Sequence, residues 1–220
     1  GQAIAQEFVA YIGGAGNGGL VAVIGPSTSK VAVPVSFVFE AGGELMLSHG
    51  ATTPKLTQQE FKLVFRNVLS DEQVARLLVG YMAERGYRRV LLLSSRDSYG
   101  RGLGNVFEAQ AVNQNLVIVD RVSYNVGEAS FQTVVMDWAG QIFDAVFIAG
   151  TTPEASSFIT QFRKAGLKQP ILGGDGLLTD DLENIAQEAE GVIAVSYYHP
   201  QDPRPEVQRF KQAFQARFNT

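Results

Sequence analysis

Side chains able to bind a small charged molecule follow several short hydrophobic runs of the sequence. They are Ser27-Thr28-Ser29, Gly50-Ala51-Thr52, Tyr99, Thr151 and Asp175. Hydroxyl groups and free N–H groups in front of a helix favour an anion such as a carboxylate. The turn at Gly50-Ala51-Thr52 offers the same donors after the next hydrophobic run. Taken alone, an ordinary helix N-cap is the simpler explanation of residues 27–29.

A carboxylate stands alone between two glycines, at Gly174-Asp175-Gly176. Asp175 can accept hydrogen bonds from an ammonium group, although an Asx turn or a helix cap explains it equally well. Tyr99 can present its ring or hydroxyl to a ligand, or pack at the rim of a site. Donors on one side and a carboxylate on the other suit a zwitterion. The pattern therefore favours an α-amino acid or a close relative.

The residues needed for common enzyme chemistry are missing. The 220-residue chain has no cysteine and two histidines, which excludes thiol catalysis and leaves almost no room for a multi-histidine metal site. It has neither a Gly-x-Ser-x-Gly elbow nor a Gly-Lys-Ser/Thr phosphate loop. The glycines at 14–19 match GxGxxG but precede a strand, so we interpret them as a loop. We predict a binding protein without catalytic residues, metal ligands or cofactors; an enzyme on an α/β scaffold is the less favoured alternative.

Charge and hydropathy exclude two further classes of partner. The net charge is −4, and no basic stripe of the kind that binds nucleic acid is present. The longest apolar runs have the length of a strand and fall far short of the roughly 18 residues of a membrane span. The first residues do not resemble a signal peptide, so we expect either that none existed or that the chain is processed or trimmed.

Short aliphatic runs alternate with segments of helical periodicity, which predicts βαβ units and a parallel sheet. Strands are predicted at residues 20–24, 44–47, 89–94, 116–122, 145–149, 171–172 and 191–195. Helices are predicted at 3–11, at 70–85 behind a capping box of Ser70 and Gln73, around 131–138 and 158–162, and after Pro205. Ligands of parallel sheets bind at the carboxyl ends of the strands, which is where the polar residues fall.

Several segments occur together in an order and at a spacing that resemble a known family. They are Val23-Ile24-Gly25-Pro26 with Ser29, residues 50–57, Val64-Phe65-Arg66, Ser98-Tyr99-Gly100, residues 173–176 and Ala189-Glu190-Gly191. The chain resembles type I periplasmic solute-binding proteins, close to the branch that binds leucine, isoleucine and valine for ABC importers. The resemblance implies a two-lobed α/β fold with parallel sheets flanked by helices.

The resemblance also implies how the lobes divide the chain. Lobe 1 would comprise residues 1–67 and 199–220, and lobe 2 residues 68–198. The family has a strand, a helix and another strand before the segment that resembles residues 3–11, and continues beyond Phe218. We therefore expect lobe 1 to be incomplete in this chain.

By the same resemblance, the ligand's carboxylate is bound by Ser29, Gly50, Ala51 and Thr52. Asp175 pairs with its ammonium, and Tyr99 lines the lobe 2 side of the cleft. Thr151 stands where amino-acid binders of the family often have an aromatic residue. The implied function is a periplasmic or extracytoplasmic receptor that hands an amino acid or related solute to the membrane permease of an ABC importer. A ligand-sensing regulatory domain on the same fold shares every local residue and is the alternative.

Overall fold

Helices and strands alternate along the chain, as the hydrophobic pattern predicts. The computed structural model describes residues 1–14, 22–199 and 201–219. The strands are β1 (Ala22–Ile24), β2 (Leu45–Ser48), β3 (Val64–Arg66), β4 (Arg89–Ser95), β5 (Val117–Tyr124), β6 (Ala145–Ala149), β7 (Ile171–Gly173) and β8 (Val192–Ala194). The helices are α1 (Gln2–Gly14), α2 (Ser29–Gly42), α3 (Asp71–Glu84), α4 (Ser98–Asn113), α5 (Gln132–Ala139), α6 (Glu154–Lys164) and α7 (Pro205–Phe218).

The described strands form two separate sheets. The three-stranded sheet has the order β1-β2-β3, and the five-stranded sheet has the order β5-β4-β6-β7-β8. Neighbouring strands are parallel throughout both sheets. The prediction of an α/β fold with parallel sheets flanked by helices is confirmed.

The five-stranded sheet is covered on both faces, which explains why its central strands are apolar throughout. Side chains of β4 alternate between the faces: Leu92 packs in one core and Leu91 in the other. Helices α3 and α4 cover the first face, where Phe107 stacks on Phe147 with ring centroids 3.8 Å apart. Helices α5 and α6 cover the second face, which buries the chain's single tryptophan, Trp138.

Helix α3 begins and ends as its sequence predicts. The Gln73 N–H donates to Ser70 Oγ at 3.3 Å, and the Ser70 N–H donates to the Gln73 side chain at 2.9 Å. These reciprocal bonds complete a capping box. Gly86 follows the helix with a φ of 77°, a conformation that glycine adopts without strain.

The three-stranded sheet has a smaller core. Ala32 and Phe39 of α2 pack with Ala5 of α1 and Met46 of β2. Among the described residues, β1 is an outer strand of this sheet, and Ile24 is 75% exposed. The three-residue strand β3 was not predicted from the sequence.

Some predictions fall outside the described residues or are not tested by them. Residues 20–21 of the first predicted strand and positions 15–19 of the glycine-rich loop lie outside the described residues. Helix α7 has no buried residue, so the assignment of 199–220 to lobe 1 stays a prediction, as does the boundary at 67. No helix in the described ranges combines the length and hydropathy needed to cross a membrane.

Candidate functional site

A cavity of about 320 Å³ lies between segments that follow the carboxyl ends of strands in both sheets. Its lining residues are Ser27, Thr28, Ser29, Lys30, Gly50, Asp97, Tyr99, Val126, Thr151, Asp175 and Gly176. Five of the seven residues predicted for the ligand site, namely Ser29, Gly50, Tyr99, Thr151 and Asp175, are therefore brought together. This is the position expected for a ligand of parallel sheets.

The other two predicted residues, Ala51 and Thr52, do not line the cavity. Ala51 is fully buried in the small core of the three-stranded sheet, and its N–H donates to Ser48 Oγ at 3.1 Å. The Thr52 hydroxyl is also buried and has no hydrogen-bond partner among the described residues. The turn directs both side chains inward, and their predicted role in binding the ligand stays a prediction.

The start of α2 presents hydrogen-bond donors to the cavity. Thr28 is the N-cap residue, yet its side chain makes no capping bond. Within the part of the chain that the structure describes, no acceptor is bound by the N–H groups of Ser29 and Lys30. The Ser29 hydroxyl accepts from the Thr53 N–H at 3.4 Å, which leaves its own hydrogen free to donate. Lys30 adds a positive charge, so this side suits an anion.

The two turns of the three-stranded sheet are held close together. Ser48 Oγ donates to the Pro26 carbonyl oxygen at 2.7 Å. A Cβ added at Gly50 would lie 2.7 Å from the Ser27 carbonyl oxygen. Since real Cβ atoms do not approach backbone oxygen so closely, the glycine is needed for this packing.

The five-stranded sheet presents an acceptor to the cavity. The Tyr99 hydroxyl donates to Asp175 Oδ1 at 3.0 Å and accepts from the Gly176 N–H at 3.2 Å. Burial raises the pKa of Asp175, while hydrogen bonds from Tyr197 and Tyr99 act in the opposite direction. Burial and the nearby Asp175 charge raise the pKa of Tyr99 well above its ordinary value, so it remains a hydroxyl donor. A bound ammonium group would offset the cost of burying the Asp175 charge.

Backbone packing positions Thr151 at the cavity. A Cβ added to the preceding residue, Gly150, would lie 2.0 Å from the Tyr124 hydroxyl oxygen. That oxygen is buried without a hydrogen-bond partner in the described chain. The Thr152 hydroxyl is 2.8 Å from that of Thr179. The segment therefore packs against β5 through Gly150 and leaves the Thr151 side chain exposed to the cavity.

Lining residues that the sequence prediction missed are Lys30, Asp97 and Val126. Asp97 lies two residues after β4, and its Oδ1 accepts from the Gly100 N–H at 2.8 Å as the N-cap of α4. Val126 lies two residues after the end of β5, and its side chain is apolar, so a search for polar residues at strand ends does not find it. Among the described residues, no group of histidine, aspartate and glutamate side chains is placed to hold a metal ion.

Comparisons with known proteins identify the family of the chain. The sequence profile described as "Periplasmic binding protein" matches residues 2–220. The Leu/Ile/Val-binding protein of Escherichia coli K12 is 31% identical over 192 residues, which cover 86% of this chain and 52% of that protein. The chain thus spans about half the length of the curated relatives it matches.

Solved structures show the same fold. An ABC transporter substrate-binding protein from Desulfitobacterium hafniense, in complex with Leu, is 34% identical with a TM-score of 0.82; the match covers 100% of this chain and 62% of that one. A leucine binding protein from Thermotoga maritima matches with a TM-score of 0.85 at 23% identity, over 100% of this chain and 63% of that one. The predicted type I fold is confirmed.

The relatives are described as binding proteins rather than enzymes, as predicted. The comparisons give no support to the regulatory alternative. With a family profile matched over residues 2–220, the chain belongs to the periplasmic binding protein family.

Proposed function

We propose that the protein is an extracytoplasmic receptor that captures a small zwitterionic solute, in the first instance an amino acid, between two lobes. The observation that carries the proposal is the opposition of two kinds of group across one cavity. Donors at the start of α2 and Gly50 lie on one side, and the Asp175 carboxyl lies on the other. A carboxylate and an ammonium on the same carbon atom satisfy both sides at once.

The size and lining of the cavity support a ligand of amino-acid size. A volume of about 320 Å³ is at the small end of ordinary ligand sites. Val126 and the Tyr99 ring contribute apolar surface for a side chain. The name of the Escherichia coli relative includes Leu, Ile and Val, and the Desulfitobacterium hafniense protein is in complex with Leu, which makes aliphatic amino acids the first ligands to test.

Delivery of the ligand to the membrane permease of an ABC importer is part of the same proposal. It is supported by the family and by the name of the Desulfitobacterium hafniense protein, an ABC transporter substrate-binding protein. The periplasmic description of the family supports an extracytoplasmic location.

Calorimetric titration of the full-length protein with a panel of L-amino acids tests the proposal. The panel includes, for each amino acid, the amine that lacks the carboxylate and the acid that lacks the ammonium. We expect one or more amino acids to bind, and both truncated analogues to bind at least about 30-fold more weakly, because each leaves one charged subsite unpaired. Absence of binding by every amino acid, or equal binding of an analogue, would contradict the proposal.

A further inference from the structure

The wall of the cavity at the start of α2 carries a surplus of hydrogen-bond donors. The side chains of Ser27 and Thr28 are exposed, and their hydroxyls make no hydrogen bond to another described residue. The Ser29 hydroxyl and the N–H groups of Ser29 and Lys30 are also free to donate. An ionised carboxylate has about four acceptor sites. One carboxylate therefore has no site left for a further donor, and the Lys30 ammonium is such a donor.

The Lys30 side chain brings a charge to the cavity without a partner for it. It lines the cavity, is exposed, and makes neither an ion pair nor a hydrogen bond with another described residue. Lysine carries its ammonium as a point charge at the end of a flexible stem, apart from the backbone N–H groups of the helix. A ligand that displaces water from this ammonium must replace the lost hydrogen bonds, because an unpaired charge is costly to bury.

Two carboxyl groups also line the cavity, and neither forms an ion pair with Lys30 in the structure. The Asp97 Oδ1 accepts from the Gly100 N–H at 2.8 Å and from the Ser95 hydroxyl at 3.0 Å. Asp97 is the N-cap of α4, so the dipole of that helix offsets its charge. Asp175 is the acceptor proposed for the ligand's ammonium. The partner of the Lys30 ammonium is therefore sought in the ligand.

We propose that the ligand is an amino acid whose side chain ends in a carboxylate, and that Lys30 is the residue that selects it. The α-carboxylate binds the N–H groups of Ser29 and Lys30, the ammonium binds Asp175, and the second carboxylate accepts from the Lys30 ammonium. Val126 offers apolar surface to the methylene groups between the charged ends. This inference deepens the proposed function and rests on it, because the α-amino acid group must be held as proposed above.

The side chain of the ligand decides between an acidic amino acid and its alternatives. Aliphatic amino acids, the first ligands of the panel, have no acceptor in the side chain and would leave the Lys30 ammonium unpaired in the cavity. An amide side chain offers a carbonyl oxygen without a charge, and a charged acceptor binds an ammonium roughly twice as strongly as a neutral one. Glutamate and glutamine have nearly the same shape, so a comparison of the two isolates the charge.

Calorimetric titration of the full-length protein tests the choice of ligand. The probes are L-glutamate, L-aspartate, their amides L-glutamine and L-asparagine, and L-leucine. We expect one of the two acidic amino acids to bind at least about 30-fold more tightly than its own amide and than L-leucine, because only the acid pairs with the Lys30 ammonium.

Variants at position 30 test the residue that selects the ligand. Lys30→Met keeps an unbranched side chain and removes its charge. It should weaken binding of the acidic amino acid by about 30-fold and change binding of the amide by less than about threefold. Lys30→Arg keeps the charge and should still prefer the acid to the amide. The control is Lys62→Met, at an exposed lysine that does not line the cavity, and it should leave both affinities unchanged.

The outcomes separate this inference from the proposed function. An amide or L-leucine that binds the unaltered protein as tightly as the acidic amino acids would overturn the inference. An equal preference for the acid in Lys30→Met and in the unaltered protein would overturn it as well. In both cases an amino acid binds, so the proposed function stands. Absence of binding by every amino acid of the panel would instead overturn the proposed function.

Discussion

The two sheets support the same cavity in different ways. The five-stranded sheet buries β6 completely and is covered by helices on both faces. The three-stranded sheet has one small core and an edge strand whose Ile24 is 75% exposed. The first region contributes side chains to the cavity, with Asp175 and Tyr99 joined by a hydrogen bond. The second contributes backbone donors, small residues and the Lys30 side chain.

This difference indicates which binding groups each of the two sheets supports. Burying the Asp175 carboxylate costs free energy. This acceptor lies in the region with the larger core, where hydrogen bonds from neighbouring hydroxyl groups hold it in position. Backbone N–H groups at the start of a helix are positioned by the helix itself and need less support. We therefore expect stability to depend mainly on the five-stranded sheet and affinity to depend on both.

The largest effect is expected in the core of the five-stranded sheet. Ile148 lies in β6, is 0% exposed and packs in the same core as Trp138. In the 220-residue chain, Ile148→Ala should lower the free energy of unfolding by about 2–5 kcal/mol, because it removes buried methyl groups and leaves a cavity. Urea unfolding followed by the fluorescence of Trp138 measures this loss. A loss below about 1 kcal/mol would contradict the view that this core carries the stability.

The next effect concerns the charged acceptor. Asp175→Asn removes the charge that pairs with the ligand's ammonium, and should weaken binding of the tightest amino acid by about 30-fold or more. Asp180→Asn is the control, since Asp180 is an exposed carboxylate in the same region that does not line the cavity. Calorimetric titration compares the two. Equal affinities in the two variants would show that Asp175 does not pair with the ligand.

A smaller effect is expected where Gly150 packs on Tyr124. A methyl group at position 150 overlaps the Tyr124 hydroxyl oxygen, so Gly150→Ala should cost about 1–3 kcal/mol of stability. Tyr124→Phe removes that unpaired oxygen and should recover at least half of the loss in the double variant. Thermal unfolding of the two single variants and the double variant forms the cycle. Strictly additive losses would mean that the two positions are not in contact.

The smallest effect is expected at the edge of the three-stranded sheet. Ile24→Ala changes the same residue type as Ile148→Ala, also in a strand, but at a side chain that is 75% exposed. In the 220-residue chain, it should change the free energy of unfolding by less than about 0.5 kcal/mol. Urea unfolding followed by Trp138 fluorescence measures this change as well. A loss as large as that of Ile148→Ala would remove the contrast between the two sheets.

The sequence predicted the elements best where their pattern was long and their ends were marked. Helix α3 has an apolar stripe, a capping box at Ser70 and a glycine stop at Gly86, and it forms as predicted. Strand β3 (Val64–Arg66) was not predicted, although the equally short strands β7 and β8 were.

The candidate site was predicted from strand ends and from the family resemblance. The parts of the site that the sequence did not predict have physical explanations. Strand ends brought Ser29, Tyr99 and Asp175 to one cavity, since parallel strands converge at their carboxyl edge. Position alone does not say which way a turn directs its side chains; the Thr52 side chain is buried, and its contact with the ligand stays a prediction.

The orientation of the ligand tests the central claim most directly. A crystal structure of the full-length protein with its tightest-binding amino acid would show it. We expect the ammonium nitrogen within about 3 Å of an Asp175 carboxyl oxygen, and the carboxylate at the N–H groups of Ser29 and Lys30. A ligand bound with its carboxylate at Asp175, or bound outside this cavity, would contradict the account.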